Sequence, residues 1–252
     1  ALTRVEKTET GYVLTTEKQA YHAKYVIAAD GVTSKTLKLL GWPYFRSKDL
    51  ILTITKEMKS RSNYIQQVLG SDKVHLFFGK ELIPVGYAWL FPKAETITVG
   101  WGNQINLIHR SRKEFQEFTN LDFVKKALKG ATEEIFKPHL IPVGLRPKLY
   151  EDKVFAVGDA GGIVDPISGN GIPYAMLSGQ IAVESLMKAI KRDKMDKLAR
   201  MYERALDRKF LKILKAKRDA RDRIFQDEEH LKKFLSLWES HRSSEIVMRK
   251  LI

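Results

Sequence analysis

The 252-residue sequence has no cysteine, six histidines and no apolar run long enough to cross a bilayer. The absence of cysteine excludes disulfide bonds, thiolate metal sites and a cysteine nucleophile within these residues. A membrane-spanning helix needs roughly 20 consecutive apolar residues, and none is present. The N-terminal residues alternate charged and single apolar side chains, unlike a secretory signal peptide. We therefore expect a cytoplasmic protein.

Two kinds of motif are also absent. His75, His109 and His139 have none of the H-x₃-H or H-E-x-x-H spacings of zinc sites, so the sequence predicts no metal site. No Ser-His-Asp arrangement can be argued from spacing. The G-x-G-x-x-G turn that opens many dinucleotide-binding domains does not occur in these residues.

Positive charge is concentrated near the C-terminus. The net charge is +14, and residues 188–252 hold twenty Lys/Arg against eleven Asp/Glu. The simplest explanation is a solvated helical face; the others are binding to an anionic membrane surface or to nucleic acid. The basic residues have helical period, few aromatic neighbours and no recognisable nucleic-acid module. Between the two binding explanations we therefore rank peripheral contact with an anionic membrane above nucleic acid, and we expect no nucleic-acid partner.

The most informative segment is 154–172. Its apolar start predicts a buried strand, which breaks at Gly158-Asp159, and a glycine-rich turn leads to a helix that begins near Gly171. The N–H groups and positive dipole end at a helix start favour negative charge. Strand, acidic turn, glycine loop and helix start together predict a site for a phosphate- and ribityl-bearing cofactor.

Hydrophobic periodicity predicts the other elements. Residues 1–30 alternate like a three-stranded meander that ends in a strand over Ala23–Asp30, and residues 44–106 predict an antiparallel or mixed sheet. Helical period follows over 111–129, over 171–190 and through the remaining C-terminal residues, with a proline-punctuated connection over 138–147.

The 154–172 segment resembles the second FAD fingerprint of the flavoprotein monooxygenase and reductase superfamily. The resemblance implies that Asp159 holds the ribityl chain, and that the following loop and helix start lie beside the pyrophosphate and the isoalloxazine. The candidate cofactor-binding residues in this segment are Gly158, Asp159, Ala160, Gly161, Pro166, Gly169, Asn170, Gly171 and Ile172.

A second segment supports the same superfamily. Ala29-Asp30-Gly31-Val32-Thr33-Ser34 resembles its A-D-G-x-x-S motif, which implies that Asp30 and Gly31 lie near the FAD pyrophosphate and ribose. Residues 141–144 and Arg146 also resemble the segment that precedes the second fingerprint. A strand that ends in Asp-Gly is a common turn, so this motif gains weight only from its position before the fingerprint.

Residues 84–92, with the sequence PVGYAWLFP, are similar to the substrate-pocket motif of geranylgeranyl reductases. Strand period places Tyr87, Trp89 and Phe91 on one face, with Pro92 after them. The resemblance implies that these four residues line a pocket for an isoprenoid chain, which dispersion and apolar burial would hold. The alternative is an ordinary sheet core.

The resemblance implies an α/β fold. We expect a partial Rossmann-like FAD domain, interrupted by an inserted mixed β-sheet substrate domain and followed by a C-terminal helical extension. The predicted boundaries are 1–40 and 146–190 for the FAD domain, 41–145 for the substrate domain and 191–252 for the helices. The G-x-G-x-x-G segment is expected outside these residues, in a missing N-terminal segment or on a partner chain.

The implied function is FAD-dependent reduction of carbon–carbon double bonds in a polyprenyl lipid or diphosphate. The proton donor is unassigned, with Tyr87 and Tyr174 as candidates. One alternative is a flavin-dependent hydroxylase or halogenase, although the lysine that halogenases need in their N-terminal region is absent. Another is a non-catalytic remnant that binds prenyl lipid.

Overall fold

The computed structural model describes residues 1–70, 73–240 and 246–250. The chain forms two compact units: unit 1 comprises Ala1–Asp49 and Ile141–Asp219, and unit 2 comprises Leu50–Leu140 and Ala220–Ile252. The domain boundaries given by sequence analysis stay predictions. Their ranges 41–145 and 191–252 include residues 71–72, 241–245 and 251–252, which lie outside the described residues.

The secondary structure mixes short strands with helices. The strands are β1 (Leu2–Lys7), β2 (Tyr12–Thr16), β3 (Ala20–Ala23), β4 (Val26–Ala28), β5 (Leu50–Lys59), β6 (Val74–Gly79), β7 (Ile83–Pro92), β8 (Thr96–Gln104), β9 (Thr132–Pro142), β10 (Tyr150–Glu151), β11 (Val154–Ala156) and β12 (Ile246–Lys250). The helices are α1 (Lys35–Leu39), α2 (Ser62–Leu69), α3 (Ser111–Thr119), α4 (Asp122–Ala127), α5 (Gly158–Gly161), α6 (Ile172–Lys191), α7 (Leu198–Leu206), α8 (Lys212–Ile224) and α9 (Glu228–Ser240).

Unit 1 contains two small sheets. β1, β2 and β3 form an antiparallel meander, whereas β4 pairs in parallel with β11, which has β10 on its other side. The prediction of a single strand over Ala23–Asp30 is therefore wrong. The chain leaves the first sheet after Ala23 and enters the second at Val26, whose N–H donates to the carbonyl of Lys153 at 3.0 Å. That partner is distant in sequence, so local alternation gave no sign of the break.

Helix α7 packs under the second sheet of unit 1. Leu198, Tyr202 and Leu206 recur every four residues and are fully buried, which is the pattern of a helix with one apolar face. The Tyr202 hydroxyl donates to the carbonyl of Ala156 at 3.2 Å, and its ring meets Phe155 edge to face at 5.0 Å. Burial raises the pKa of Tyr202 far above its ordinary value. These contacts fix β11.

Unit 2 is built on a six-stranded mixed sheet in the order β12-β6-β7-β8-β5-β9. Leu90, Val99 and Trp101 are fully buried, and Phe115 and Phe118 of α3 belong to the same core. The predicted mixed sheet over 44–106 is confirmed in β5 to β8. The predicted helix over 111–129 is divided into α3 and α4 at Asn120-Leu121.

Two strands of unit 2 were not predicted. The last five residues of β9, 138–142, fall in the predicted proline-punctuated connection, and the strand lies at one edge of the sheet, where Pro138 is tolerated. β12 falls in the range predicted as entirely helical and pairs in parallel with β6. Among the helices of the described residues, none is both long enough and apolar enough to cross a membrane.

Candidate functional site

The candidate site begins where β11 ends. Val154, Phe155 and Ala156 are at most 1% exposed, which confirms the buried strand predicted from their apolar run. β11 lies parallel to β4, with Phe155 opposite Ile27. The carboxyl end of a parallel strand is where nucleotide-bearing cofactors commonly bind in α/β sheets. The chain enters α5 there, at Gly158.

Glycine is required in this turn by close backbone approach. Gly162 ends α5 with φ 74°, and a Cβ added to it would lie 2.2 Å from the carbonyl oxygen of Gly144. Gly158 has φ 51°, and its added Cβ would lie 2.9 Å from the Cβ of Ala175 in α6. The Gly158 N–H also donates to the Ser178 hydroxyl at 2.9 Å. The turn is thus packed tightly against α6.

The residues predicted to bind the cofactor all lie in unit 1, and their contact with a cofactor stays a prediction. Ala160 and Gly161 are buried within α5, and Pro166 is buried in the following loop, whereas Asn170 is exposed. Asp159 is half-buried, and its Oδ1 lies 3.1 Å from the position that a Cβ on Gly171 would take. A side chain at Gly171 would therefore crowd the carboxylate that the superfamily resemblance assigns to the ribityl chain.

The N-terminus of α6 is open. Its N-cap, Gly171, provides no side-chain hydrogen bond, and Pro173 stands in the first turn. Ile172 is 76% exposed. Pro173 is exposed as well, so the first N–H groups of this 20-residue helix and the positive end of its dipole lie at the surface of unit 1. Such a helix start can stabilise an anion or a polarised carbonyl.

An ion pair that sequence analysis missed closes the loop between α5 and α6. Asp165 is 4% exposed, and its Oδ1 accepts hydrogen bonds from the N–H groups of Ile167 and Ser168 at 3.0 and 3.1 Å. Its Oδ2 accepts from Lys217 Nζ of α8 at 2.5 Å. Backbone hydrogen bonds from Asp165 N to Asn170 O and from Gly169 N to Asp165 O complete the closed loop.

The pKa values of both residues in this pair are shifted. Burial by itself raises the pKa of Asp165, but hydrogen bonds from Lys217, Ser168 and Ile167 outweigh it and hold that pKa below its ordinary value. The hydrogen bond to Asp165 raises the pKa of Lys217. Both groups are charged at neutral pH. The two residues are 52 positions apart, so no local pattern could have identified the pair.

Arg146 holds the other side of the turn. It is 5% exposed, its Nε donates to the carbonyl of Ala160 at 2.5 Å, and its Nη1 donates to the carbonyl of Pro43. The guanidinium also lies over the ring of Phe45, 4.3 Å from its centroid. Desolvation by burial lowers the pKa of Arg146. Arg146 therefore binds the last carbonyls of α5 rather than an open surface.

Asp30 has a structural role at α1. One oxygen of its carboxylate accepts from the Ser34 hydroxyl at 2.5 Å and the other from the Thr36 N–H at 2.8 Å. Burial raises the pKa of Asp30, but these hydrogen bonds outweigh it, and the pKa lies below its ordinary value. Gly31 takes a left-handed conformation with φ 81°. Cofactor contact by Asp30 and Gly31 stays a prediction.

The aromatic row predicted for unit 2 lies along β7. Successive ring centroids are 5.8 Å apart from Tyr87 to Trp89 and 5.9 Å apart from Trp89 to Phe91. All three rings are half-buried, as is Pro92. Tyr87 also contacts Phe78 at 5.6 Å, within a small cluster that includes residues of α9. One end of the row is thus part of a core, and its role in substrate binding stays a prediction.

Trp89 owes its position to a glycine on the neighbouring strand. Gly100 of β8 is its cross-strand partner, and a Cβ added to Gly100 would lie 2.0 Å from Cζ2 of the Trp89 ring. The indole therefore lies across the glycine backbone. A Cβ added to Gly102, two residues further along β8, would have its nearest neighbour in the side chain of Thr53, at 3.1 Å.

The two candidate proton donors lie in different units. Tyr174 is half-buried in α6 and meets Phe210 edge to face at 5.4 Å, whereas Tyr87 belongs to β7. Within the described residues, no three His, Cys, Asp or Glu side chains are grouped as metal ligands.

The sequence is similar to proteins named as prenyl reductases. Residues 56–137 match the geranylgeranyl reductase catalytic domain. A digeranylgeranylglycerophospholipid reductase from Methanocaldococcus jannaschii is 35% identical over 200 residues, which are 79% of this chain and 50% of the relative. A reductase of the same name from Methanococcus vannielii is 32% identical, over 84% of this chain and 55% of its own length. The chain thus spans about half the length of these relatives.

The fold is also similar to solved structures. A geranylgeranyl bacteriochlorophyll reductase-like protein from Thermoplasma acidophilum has a TM-score of 0.79 at 22% identity, over 98% of this chain and 62% of its own. The flavin-dependent halogenase CmlS has a TM-score of 0.59 at 17% identity, over 88% of this chain and 40% of its own. At these identities the likeness concerns the fold alone. The catalytic-domain match and the two archaeal relatives go further, and this chain belongs to the geranylgeranyl reductase family.

Proposed function

We propose that this protein uses FAD to reduce carbon–carbon double bonds in the prenyl chain of a lipid or diphosphate. The observation that carries the proposal is the closed glycine loop between β11 and α6, with an open helix start at its end, in a chain of this family. The relatives are named for a reductase acting on a digeranylgeranyl glycerophospholipid. We extend that substrate class to this chain.

The residues of the loop fit a flavin. Asp159 offers a carboxylate for ribityl hydroxyl groups, and Gly171 leaves it accessible because any side chain there would contact Oδ1. The N–H groups of Ile172 and Tyr174 at the uncapped start of α6 offer donors for the pyrimidine carbonyl side of the ring. Donors and dipole at this position stabilise the negative charge that a flavin gains on reduction.

The chemistry is divided between cofactor and protein. When bound and reduced, FAD would supply a hydride to one alkene carbon, and an acid would supply a proton to the other. The chain supplies binding and orientation. The loop residues Gly158 to Ile172 would hold the cofactor, and the aromatic row would provide a surface on which a branched hydrocarbon gains dispersion energy.

The adenosine half of FAD is proposed to bind a G-x-G-x-x-G segment outside these 252 residues. The support is an exposed apolar stripe on α6, where side chains on one face are 47–76% exposed. The stripe consists of Ile172, Met176, Val183, Met187 and Ile190. A stripe of this kind commonly packs against another helix. β4 is in addition an edge strand of its sheet, open to a further parallel strand.

The cofactor is tested by spectroscopy and by dioxygen dependence. We expect the protein to bind FAD with an absorption band near roughly 450 nm, and to saturate a prenyl lipid anaerobically after chemical reduction. A hydroxylase or halogenase would need dioxygen for any turnover. A colourless protein that still binds prenyl lipid would instead indicate a non-catalytic lipid-binding remnant.

The aromatic row is tested through Gly100. We expect Gly100→Ala to displace the Trp89 ring, because the new methyl group would lie only 2.0 Å from Cζ2. Prenyl-substrate binding should weaken roughly tenfold, the cost of losing good packing over one aromatic side chain. FAD affinity should not change. The measurements are the KM for the prenyl substrate and, separately, the FAD affinity by titration.

Gly102→Ala is the matched control for this substitution. It adds the same methyl group two residues away on β8, where the new Cβ would lie 3.1 Å from Cγ2 of Thr53. We expect less than roughly a threefold change in KM, since small shifts of a side chain relieve such contacts. Equal effects of the two substitutions would show that the row does not line the substrate site.

We also propose that the protein meets its lipid at an anionic membrane surface. The support is the excess of nine positive charges in residues 188–252. Basic clusters near a surface of anionic lipid gain favourable electrostatic energy, and a prenyl lipid resides in such a membrane.

A further inference from the structure

A cleft of about 520 Å³ lies between α6 and α7 in unit 1. It involves the C-terminal half of α6, so it begins roughly 15 Å from the start of that helix at the glycine loop, given a rise of 1.5 Å per residue. Ile181 and Ser185 of α6 are buried at its floor, beside the half-buried Met201 and Ala205 of α7. The cleft is therefore separate from the candidate flavin site.

The rim of this cleft is strongly basic. Seven of the twelve lining residues are lysine or arginine, and all seven are exposed. They are Lys188, Arg192, Lys194, Lys197, Arg200, Arg204 and Arg208. Arg200, Arg204 and Arg208 follow one another at four-residue spacing, and Lys188 and Arg192 do the same. Like charges at this spacing repel each other along a helix. The arrangement therefore lowers the stability of the protein when no anionic ligand is bound.

The charge on the rim is not neutralised by the described part of the chain. None of the seven basic side chains forms an ion pair there. Glu184, which also lines the cleft, accepts a hydrogen bond from Gln180 at 2.6 Å. Basic residues further along the chain, such as Lys215 and Lys217, are paired with Asp207 and Asp165. Unpaired positive charge is thus concentrated at this cleft.

The composition of the cleft favours a lipid over a nucleic acid. Its floor is apolar or small, and no aromatic side chain lines it. Single-stranded nucleic acids are held by stacking bases on aromatic rings, which this cleft does not offer. A phosphate above a hydrocarbon chain matches a basic rim above an apolar floor. Because an α-helix turns 100° per residue, the residues of α6 that line the cleft lie on the side opposite its exposed apolar stripe.

We propose that the cleft between α6 and α7 binds the phosphate headgroups of anionic phospholipids and docks the protein on a bilayer surface. The choice of lipid rests on the proposed function, since the substrate class is a membrane lipid. The docking itself requires neither FAD nor turnover. It places the contact on seven identified side chains rather than on the C-terminal quarter as a whole.

The test is binding to vesicles of phosphatidylcholine with and without phosphatidylglycerol. Wild-type protein is expected to bind only the anionic vesicles, and less as salt is added. The double variant Arg200→Glu/Arg204→Glu should bind at least roughly tenfold more weakly, since each basic residue near an anionic bilayer is worth roughly a fivefold change in partition. Lys18→Glu/Lys24→Glu, exposed in the same unit with the same change in net charge, should lose less than roughly threefold.

Several results would overturn the inference. These are equal losses in the two double variants, equal binding to neutral vesicles, and a preference for RNA over anionic vesicles. Saturating inorganic phosphate that abolishes vesicle binding at constant ionic strength would reassign the cleft to free phosphate. The neutral variant Arg200→Gln/Arg204→Gln, checked by thermal melting, excludes misfolding as the cause. FAD absorption measured on each variant separates a failure of docking from a failure of the proposed function.

Discussion

Gly162→Ala is expected to lower the free energy of unfolding by about 3 kcal/mol or more, through strain and overlap together. The residue has φ 74°, which an alanine adopts at a cost of roughly 1–2 kcal/mol. Its new Cβ would in addition lie 2.2 Å from the Gly144 carbonyl oxygen and 2.8 Å from Cε1 of Phe45. Backbone cannot yield as a flexible side chain does, so the turn must move.

The matched control is Gly41→Ala in the same unit. Gly41 has φ 73°, but nothing lies within 4 Å of its added Cβ. Only the conformational cost applies there, and we expect a loss of about 1–2 kcal/mol. Urea denaturation of both variants gives the comparison. FAD titration should show weaker binding for Gly162→Ala alone. Equal losses of stability would mean that the contact with Gly144 does not hold the turn.

Asp165→Ala is expected to reduce FAD affinity at least tenfold, or about 1.4 kcal/mol, because the loop loses the group that closes it. Removing the carboxylate leaves the N–H groups of Ile167 and Ser168 without their acceptor and Lys217 without its partner. Both hydrogen bonds are only partly buried, and hydrogen bonds to a charged group contribute about 1.5–3 kcal/mol. Lys217 is 41% exposed along its side chain, so solvent offsets part of the lost ion pair. We expect a total loss of stability of about 2–3 kcal/mol.

Two further variants separate the contributions of the pair. Asp165→Asn keeps an oxygen for the two N–H groups and removes the charge, whereas Lys217→Met keeps the carboxylate and removes its partner. Each should lose about 1–2 kcal/mol. The double variant Asp165→Asn/Lys217→Met should lose less than the sum, since the two residues contact each other. Strict additivity in denaturation experiments would argue against the ion pair.

The pH dependence of the pair follows from its pKa shifts. The pKa of Asp165 in the folded protein lies below its unfolded value of about 3.9, so its stabilisation is complete above that value. It is lost as the pH falls through the lower folded-state pKa. The pKa of Lys217 is raised, so its contribution is complete below about 10.4 and is lost at higher pH. Asp165→Asn should therefore remove part of the acid-side loss of stability.

The local sequence pattern predicted the strands and helices that are buried on one face or on all sides. The apolar run at Val154 became β11, and the helical period after Gly171 became α6. The alternation at residues 84–92 put Tyr87, Trp89 and Phe91 in one row, as observed in β7. In each of these, the side chains that must be buried are spaced by the geometry of a single element, so sequence distance and spatial distance agree.

Elements that depend on distant partners were missed. β9 is mostly exposed and forms an edge strand, so burial imposes no alternation that a sequence could show. β12 is a strand because it pairs with β6, which is far away in the chain. The break between β3 and β4 arises because each pairs in a different sheet. Hydrogen bonds between strands determined these structures more than local propensity did.

The sequence by itself determined the family, the glycine loop and the aromatic row, because each is a short contiguous pattern. Only the tertiary structure identified Asp165–Lys217, the approach of Gly162 to Gly144 and the basic cleft between α6 and α7. These features join residues up to 52 positions apart, and their energies depend on distance and burial. The sequence showed that positive charge was abundant near the C-terminus; folding determined which of those charges face one another without a partner.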